Sequence, residues 1–218
     1  MEVEHLVDGL ILFLGFVVFV ALHEFAHAWM ACRCGDDTPR RQGRLTLDPL
    51  AHIDWIGTVI LPLILLTAGA ITGQTAMMGW GKPVQVNLDN FRHRRRDDIL
   101  VALAGPAMNF LIAVVLILAA KGCVWAHYKE GFMVSLMLAR FSLFLCFFNL
   151  LPIPPLDGGH IMRNLCGMSD ETYAMLSRFS FIFFLLILRV PAIGDFVNLY
   201  TDCVLALLVW PLGWSFPV

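Results

Sequence analysis

The sequence predicts an all-α polytopic membrane protein, and three observations carry that prediction. Of 218 residues, 59% are hydrophobic and only 15% are charged, against about 25% charged in an average globular domain. The mean hydropathy is +0.75. Five segments are long enough to cross a hydrocarbon core, which takes about 20 apolar residues: Leu6–Cys32, Ile99–Ala120, Val134–Leu151, Tyr173–Val190 and Phe196–Leu212. A sixth, Trp55–Thr72, is shorter and contains Gly57, Pro62 and Gly69. About five to six membrane helices are therefore expected.

The polar stretches between these segments are Arg33–Asp54, Gly73–Asp98, Lys121–Phe132 and Pro152–Thr172. No internal repeat or appended soluble domain is visible, and residues 1–160 and 161–218 read as the core and the C-terminal helices of one domain. Gly43–Leu47 and Lys82–Val86 alternate enough to suggest short strands at the membrane, although amphipathic loops read equally well. The net charge of -2 carries no message about nucleic acid, and no basic nucleic-acid-binding motif is present. Cys32, Cys34, Cys123, Cys146, Cys166 and Cys203 are scattered, so free thiols are expected rather than a disulfide framework. The acidic start, Met1 to Leu6, lacks a signal-peptide n-region, and the first helix is expected to stay.

Charge orients the chain. Arg33, Arg40, Arg41 and Arg44 fill the first loop, and Lys82, Arg92, Arg94, Arg95 and Arg96 fill the second. A full crossing by Trp55–Thr72 would put these basic loops on opposite faces, against the positive-inside bias. A re-entrant segment puts both in the cytoplasm. Its Pro and Gly content suits a broken segment, tolerated only where protein covers it. Arg140, one turn into its helix, is expected to snorkel toward the outer headgroups, and Arg92–Arg96 to meet anionic lipid.

Chemistry concentrates in His23-Glu24-Phe25-Ala26-His27, inside the first apolar helix. Histidines at i and i+4 share a helix face and can grip one metal, and the adjacent glutamate is placed to act as a base. Ionisable groups inside a membrane segment are costly and point to function. A catalytic zinc takes a third protein ligand, and the candidate is Asp157 in Asn149-Leu150-Leu151-Pro152-Ile153-Pro154-Pro155-Leu156-Asp157-Gly158-Gly159-His160. Three prolines end the preceding helix, and a Gly-Gly turn follows the carboxylate. The competing reading makes Asp157 a helix N-cap. From His23 to Cys32 is about 14 Å along the helix, and the re-entrant topology brings Asp157 to the same face. His52 is expected to serve loop packing or the surface, and His160 to be an interfacial histidine.

Together, H-E-F-A-H and N-L-L-P-I-P-P-L-D-G-G resemble the site-2 protease family of intramembrane zinc metalloproteases. Ala104-Gly105-Pro106-Ala107-Met108-Asn109 is similar to that family's G-P-x-x-N motif. The likeness covers Leu6 to His160, and the chain looks like compact members without PDZ or CBS domains. It implies one zinc held by His23, His27 and Asp157, with Glu24 as general base and then general acid. It also implies that Asn109 and Asn149 contact the substrate or oxyanion; interhelical hydrogen bonding is the alternative for both. The implied substrate is a transmembrane protein or peptide, unwound locally, clamped by strand addition and cleaved near the cytoplasmic face by regulated intramembrane proteolysis. A bacterial-type inner membrane is the implied location, and the lipid bilayer the other partner. A metal transporter and a non-catalytic membrane scaffold are the competing functions. Glu24 is surplus to the first, and a complete set of ligands and base argues against the second.

Overall fold

The computed structural model describes residues 2–72, 79–179 and 190–212. They fall into two compact units, Met1–Arg92 and His93–Val218. Among the described residues, four helices are long and apolar enough to cross a membrane: Leu6–Cys34, Arg94–Trp125, Lys129–Asn149 and Pro191–Val209. Most of the expected span Tyr173–Val190 lies outside the described residues, and its start belongs to a short polar helix.

In the first unit, Glu2–Cys34 forms one helix, α1. No proline interrupts it, and a helix is the one local structure that satisfies its own backbone in an apolar medium. Phe16, Phe19, His23 and His27 are buried at steps of three and four residues, while Leu10, Leu14 and Val18 stay exposed. The opposite face thus remains available to lipid. Thr38–Arg41 adds a single turn, α2.

Trp55–Ile60 forms a π-helical turn that continues into α3, Leu61–Thr72. Asp54 caps it by accepting from the Ile56 and Gly57 amides. Pro62 has no N–H to return to residue 58, and a widened turn absorbs that gap. Here the Leu61 amide reaches back five residues to the Ile56 carbonyl. The chain after α3 comes back to the start of the same helix. Trp80 N–H donates to Gly57 O at 3.2 Å, and Lys82 N–H donates to His52 O at 2.8 Å. The Thr58 hydroxyl donates to Trp80 O at 2.7 Å.

The expected strands are corrected by these contacts. Among the described residues neither Gly43–Leu47 nor Lys82–Val86 is a strand. Gly43 turns the chain at φ +69°. The backbone groups of Lys82, Pro83 and Val84 are taken by side chains and by the His52 carbonyl, leaving no ladder to form.

Asp36 ties the unit's loops to the end of α1. Its buried carboxylate accepts from Thr38 Oγ1 at 2.5 Å, Asn87 N at 2.7 Å and Asn90 Nδ2 at 2.8 Å. The Thr38 amide adds a fourth bond at 3.1 Å. Burial alone would raise the Asp36 carboxyl, but the hydrogen bonds from Thr38, Asn90 and Asn87 outweigh it, and the group sits below its ordinary value of 3.8.

The second unit is built on α4, Arg94–Trp125, and α5, Lys129–Asn149, packed as an antiparallel pair. Ala113 and Ala139 are fully buried beside Ile117 and Leu143, so small residues let the helices approach closely. Two short helices follow, α6, Asp157–Leu165, and α7, Asp170–Arg178, and then α8, Pro191–Val209. α6 packs on α4, and α8 packs mainly on α5. Arg140, expected to snorkel, has a protein partner for its charge. Its guanidinium pairs with Asp202 of α8 at 2.7 Å and bonds Asn198 at 3.1 Å. A carboxylate within reach offsets the desolvation that drives snorkelling.

A buried pair fastens α6 to the start of α4. Arg163 Nη2 lies 2.5 Å from Asp98 Oδ2, and both side chains are under a tenth exposed. Asn164 donates to the same oxygen, and His160 Nδ1 stands 3.4 Å from Asp98 Oδ1. The six cysteines are free thiols, as expected.

Two outcomes follow from these anchors. Asp36→Asn should lower stability at neutral pH by about 2–3 kcal/mol, because hydrogen bonds to a charged acceptor are lost. The folded Asp36 value is depressed, so its contribution is present above the unfolded value near 4 and is lost as pH falls through the folded value. Melting curves of parent and variant in detergent should therefore converge in acid. Asp98→Ala, which leaves Arg163 buried beside the exposed Asp170 alone, should destabilise by about 3–5 kcal/mol. Asp98→Ala combined with Arg163→Met should recover most of that loss in the same melts.

Candidate metal centre

One helix face brings the first two candidate ligands together. His23 and His27 are both buried in α1, and their rings meet edge to face with centroids 4.6 Å apart. Their Nε2 atoms stand 3.0 Å apart. Two nitrogens at about 2.0–2.1 Å from a tetrahedral zinc would be about 3.3 Å apart. The histidine pair therefore fits a shared ion with a few tenths of an ångström of adjustment.

Glu24 lies between them in sequence and is partly buried. Its Oε2 accepts from the Val84 amide at 2.9 Å, sixty residues along the chain. Gly81 makes that approach possible. A Cβ at this position would sit 2.4 Å from Val20 Cγ1 and 3.5 Å from Glu24 Cγ, so a side chain would push the segment off α1. His52, buried, donates its Nε2–H to Thr46 O over 2.9 Å and packs the loop. Loop packing is thus its role, and the surface alternative is excluded.

The remaining candidates lie in the second unit. Asp157 is the first residue of α6, and the N-cap is Leu156, with no side-chain capping bond. The N-cap position considered for Asp157 is thus occupied by Leu156. Its position is set by the turn before it. A Cβ on Gly158 would lie 2.3 Å from the carbonyl oxygens of Leu150 and Leu151, so only glycine lets α6 start against the end of α5. His160 is half-exposed, between Asp98 and the Tyr173 ring, whose centroid is 5.0 Å away.

Asn109 is almost fully buried in α4, and its backbone carbonyl accepts from Ser142 Oγ at 2.8 Å. This bond fastens α4 to α5 at the level of Pro106, the proline inside α4. Asn149, the last residue of α5, donates Nδ2 to Leu145 O at 2.9 Å. One of its two amide hydrogens is thereby turned back onto its own helix.

Two residues that hold the site's surroundings carry no signal in the sequence. Arg44 reads as one of nine loop cations, and Asp36 as an ordinary loop acid. The structure buries both. Nothing in their spacing separates them from solvated neighbours; only the fold does.

Comparison with known proteins agrees with this chemistry. The sequence profile of Peptidase family M50 matches residues 11–129 and 120–188. "Putative zinc metalloprotease YwhC" of Bacillus subtilis is 34% identical over 192 residues, covering 83% of this chain and 80% of the relative. Proteins named "Putative zinc metalloprotease Rip2" from Mycolicibacterium smegmatis and Mycobacterium tuberculosis are each 31% identical, covering 83% of this chain and 67% of theirs. No solved structure matches. With apolar helices long enough to cross a bilayer, the chain belongs to peptidase family M50, the site-2 protease family, and is a membrane metalloprotease.

Proposed function

We propose that the chain hydrolyses peptide bonds in or near transmembrane segments of other membrane proteins, using one zinc ion held by His23, His27 and Asp157. The observation that carries this reading is the pair of buried imidazoles with Nε2 atoms 3.0 Å apart and a carboxylate between them in sequence. Asp157 joins the two histidines in this proposal through its place in the Asp157-Gly158-Gly159 motif after the prolines. When bound, zinc supplies Lewis-acid polarisation of a carbonyl and a lowered pKa for water.

The chain's own residues do the rest. Glu24 removes a proton from the attacking water as its oxygen bonds to the scissile carbon, and returns that proton to the amine nitrogen as the C–N bond breaks. Asn109 and Asn149 supply amide donors toward the substrate's developing oxyanion. Asn149 keeps one N–H for that purpose after its bond to Leu145. A buried site inside α1 meets only chains that enter the membrane, which restricts substrates to transmembrane proteins or peptides.

The topology that serves this chemistry is re-entrant. Residues 79–82 hydrogen-bond to His52, Gly57 and Thr58 near the start of the Trp55–Thr72 helix, which supports a chain that leaves and returns on one side. This supports placing both basic loops, and the site, toward the cytoplasm of a bacterial-type inner membrane.

In proteoliposomes with tagged single-span substrates, Glu24→Gln should keep zinc and lose cleavage, with kcat reduced on the order of 10²–10⁴-fold. His23→Ala, His27→Ala and Asp157→Ala should each lose zinc as read by metal analysis. Full zinc occupancy and cleavage in Asp157→Ala would end its assignment as a ligand. For topology, single cysteines at Arg41 and Arg94 should label from the same side; labelling from opposite sides would sink the re-entrant path.

A further inference from the structure

We infer that Arg44 is a positioning residue for Glu24, acting across a single peptide plane. The inference rests on the reading of Glu24 as the general base. Arg44 is 6% exposed, yet among the described residues its guanidinium bonds meet carbonyl oxygens rather than a carboxylate. Nη1 donates to Ala51 O, and Nη2 donates to Lys82 O at 2.6 Å and Pro83 O at 2.9 Å. Burying a guanidinium without an opposite charge is expensive, so its placement calls for a reason beyond loop stability.

The reason lies in which carbonyl it holds. Pro83 C=O and Val84 N–H belong to the same planar peptide unit. Arg44 binds the oxygen edge of that unit, and the hydrogen edge donates to Glu24 Oε2 at 2.9 Å. The chain of contacts runs from guanidinium to carbonyl, through the peptide plane, to the carboxylate. A cation on the oxygen strengthens donation by the N–H at the other end, because hydrogen bonds in series polarise one another.

The neighbouring residues remove the other freedoms of this plane. Pro83 fixes φ by its ring, and Lys82 N–H is tied to His52 O at 2.8 Å. Gly81 lets the segment lie against Val20 and Glu24. With the amide aimed by Arg44, one carboxylate oxygen of Glu24 is fixed and the other is left for proton transfer. A lysine at position 44 keeps the charge but not the planar fork that reaches several carbonyls.

The test uses the full zinc-loaded chain in proteoliposomes with a tagged single-span substrate. Arg44→Gln should lower kcat about 10–100-fold, with KM within about twofold and zinc per chain unchanged. Arg44→Lys should give a smaller fall, and carries the test if Arg44→Gln does not fold. Glu24→Asp shortens the side chain by a methylene and breaks the same link, so adding Arg44→Gln to it should cost little further activity. Unchanged kcat in both Arg44 variants would overturn the inference, as would losses confined to zinc content or KM, or full additivity with Glu24→Asp. A Glu24→Gln variant that cleaves like the parent would remove the base itself. A dead Glu24→Gln beside fully active Arg44 variants would remove the Arg44 role alone.

Discussion

Backbone that is not helical must find partners before it can sit beside a membrane helix, and this constraint organises the first unit. Among the described residues, 79–92 have no strand to pair with. Their amides and carbonyls are taken by Arg44, Glu24, Asp36 and the carbonyls of His52 and Cys34. An unpaired buried amide or carbonyl costs several kcal/mol in an apolar medium, so each of these side chains is fixed by the segment as firmly as it fixes the segment. Glu24 is therefore held by the same bond that lets irregular chain lie against α1. The geometry of the proposed base and local stability share one hydrogen bond.

The second unit meets the same constraint with charge. Asp98 and Arg163 are buried together, and the α6 helix that begins at Asp157 is anchored through them to α4. Such pairs contribute little net stability against an apolar replacement. Their effect is specificity: only one placement of α6 satisfies both groups, and that placement fixes where Asp157 begins its helix. Arg140 and Asp202 do similar work between α5 and α8, half-exposed in apolar helices where an unpaired charge would be costly.

How far the sequence reaches is set by whether a property is local. The helix of His23 and His27 follows from uninterrupted hydrophobicity, and their common face from the 3.6-residue period. The end of α5 and the turn before Asp157 follow from Pro152, Pro154, Pro155 and the paired glycines. The alternation of Lys82–Val86 pointed to a strand because period-two patterning cannot report where the backbone hydrogen bonds go. Asp36 and Arg44 were invisible as site residues for the same reason, since their partners lie roughly 40–50 positions away. The pairing of Arg140 was hidden in the same way, because its partner, Asp202, is 62 residues distant.

The arrangement around Glu24 also separates hydrolysis from transport. An ion pathway needs ligands that release their cargo, and a carboxylate beside two imidazoles would best serve as another ligand. Here Glu24 is instead secured by a backbone amide on the far side of a peptide plane, itself held by a buried cation. A group fixed in this way is poorly suited to follow a moving ion and well suited to exchange a proton at a constant place. Preorganisation of that kind lowers a chemical barrier because the donor or acceptor need not reorient during the reaction. The non-catalytic scaffold fares no better, because a binding surface has no use for a buried Arg44 whose bonds, among the described residues, go to carbonyl oxygens. The expense of that burial accords with the proposed role of Glu24, in which the position of one carboxylate controls a rate.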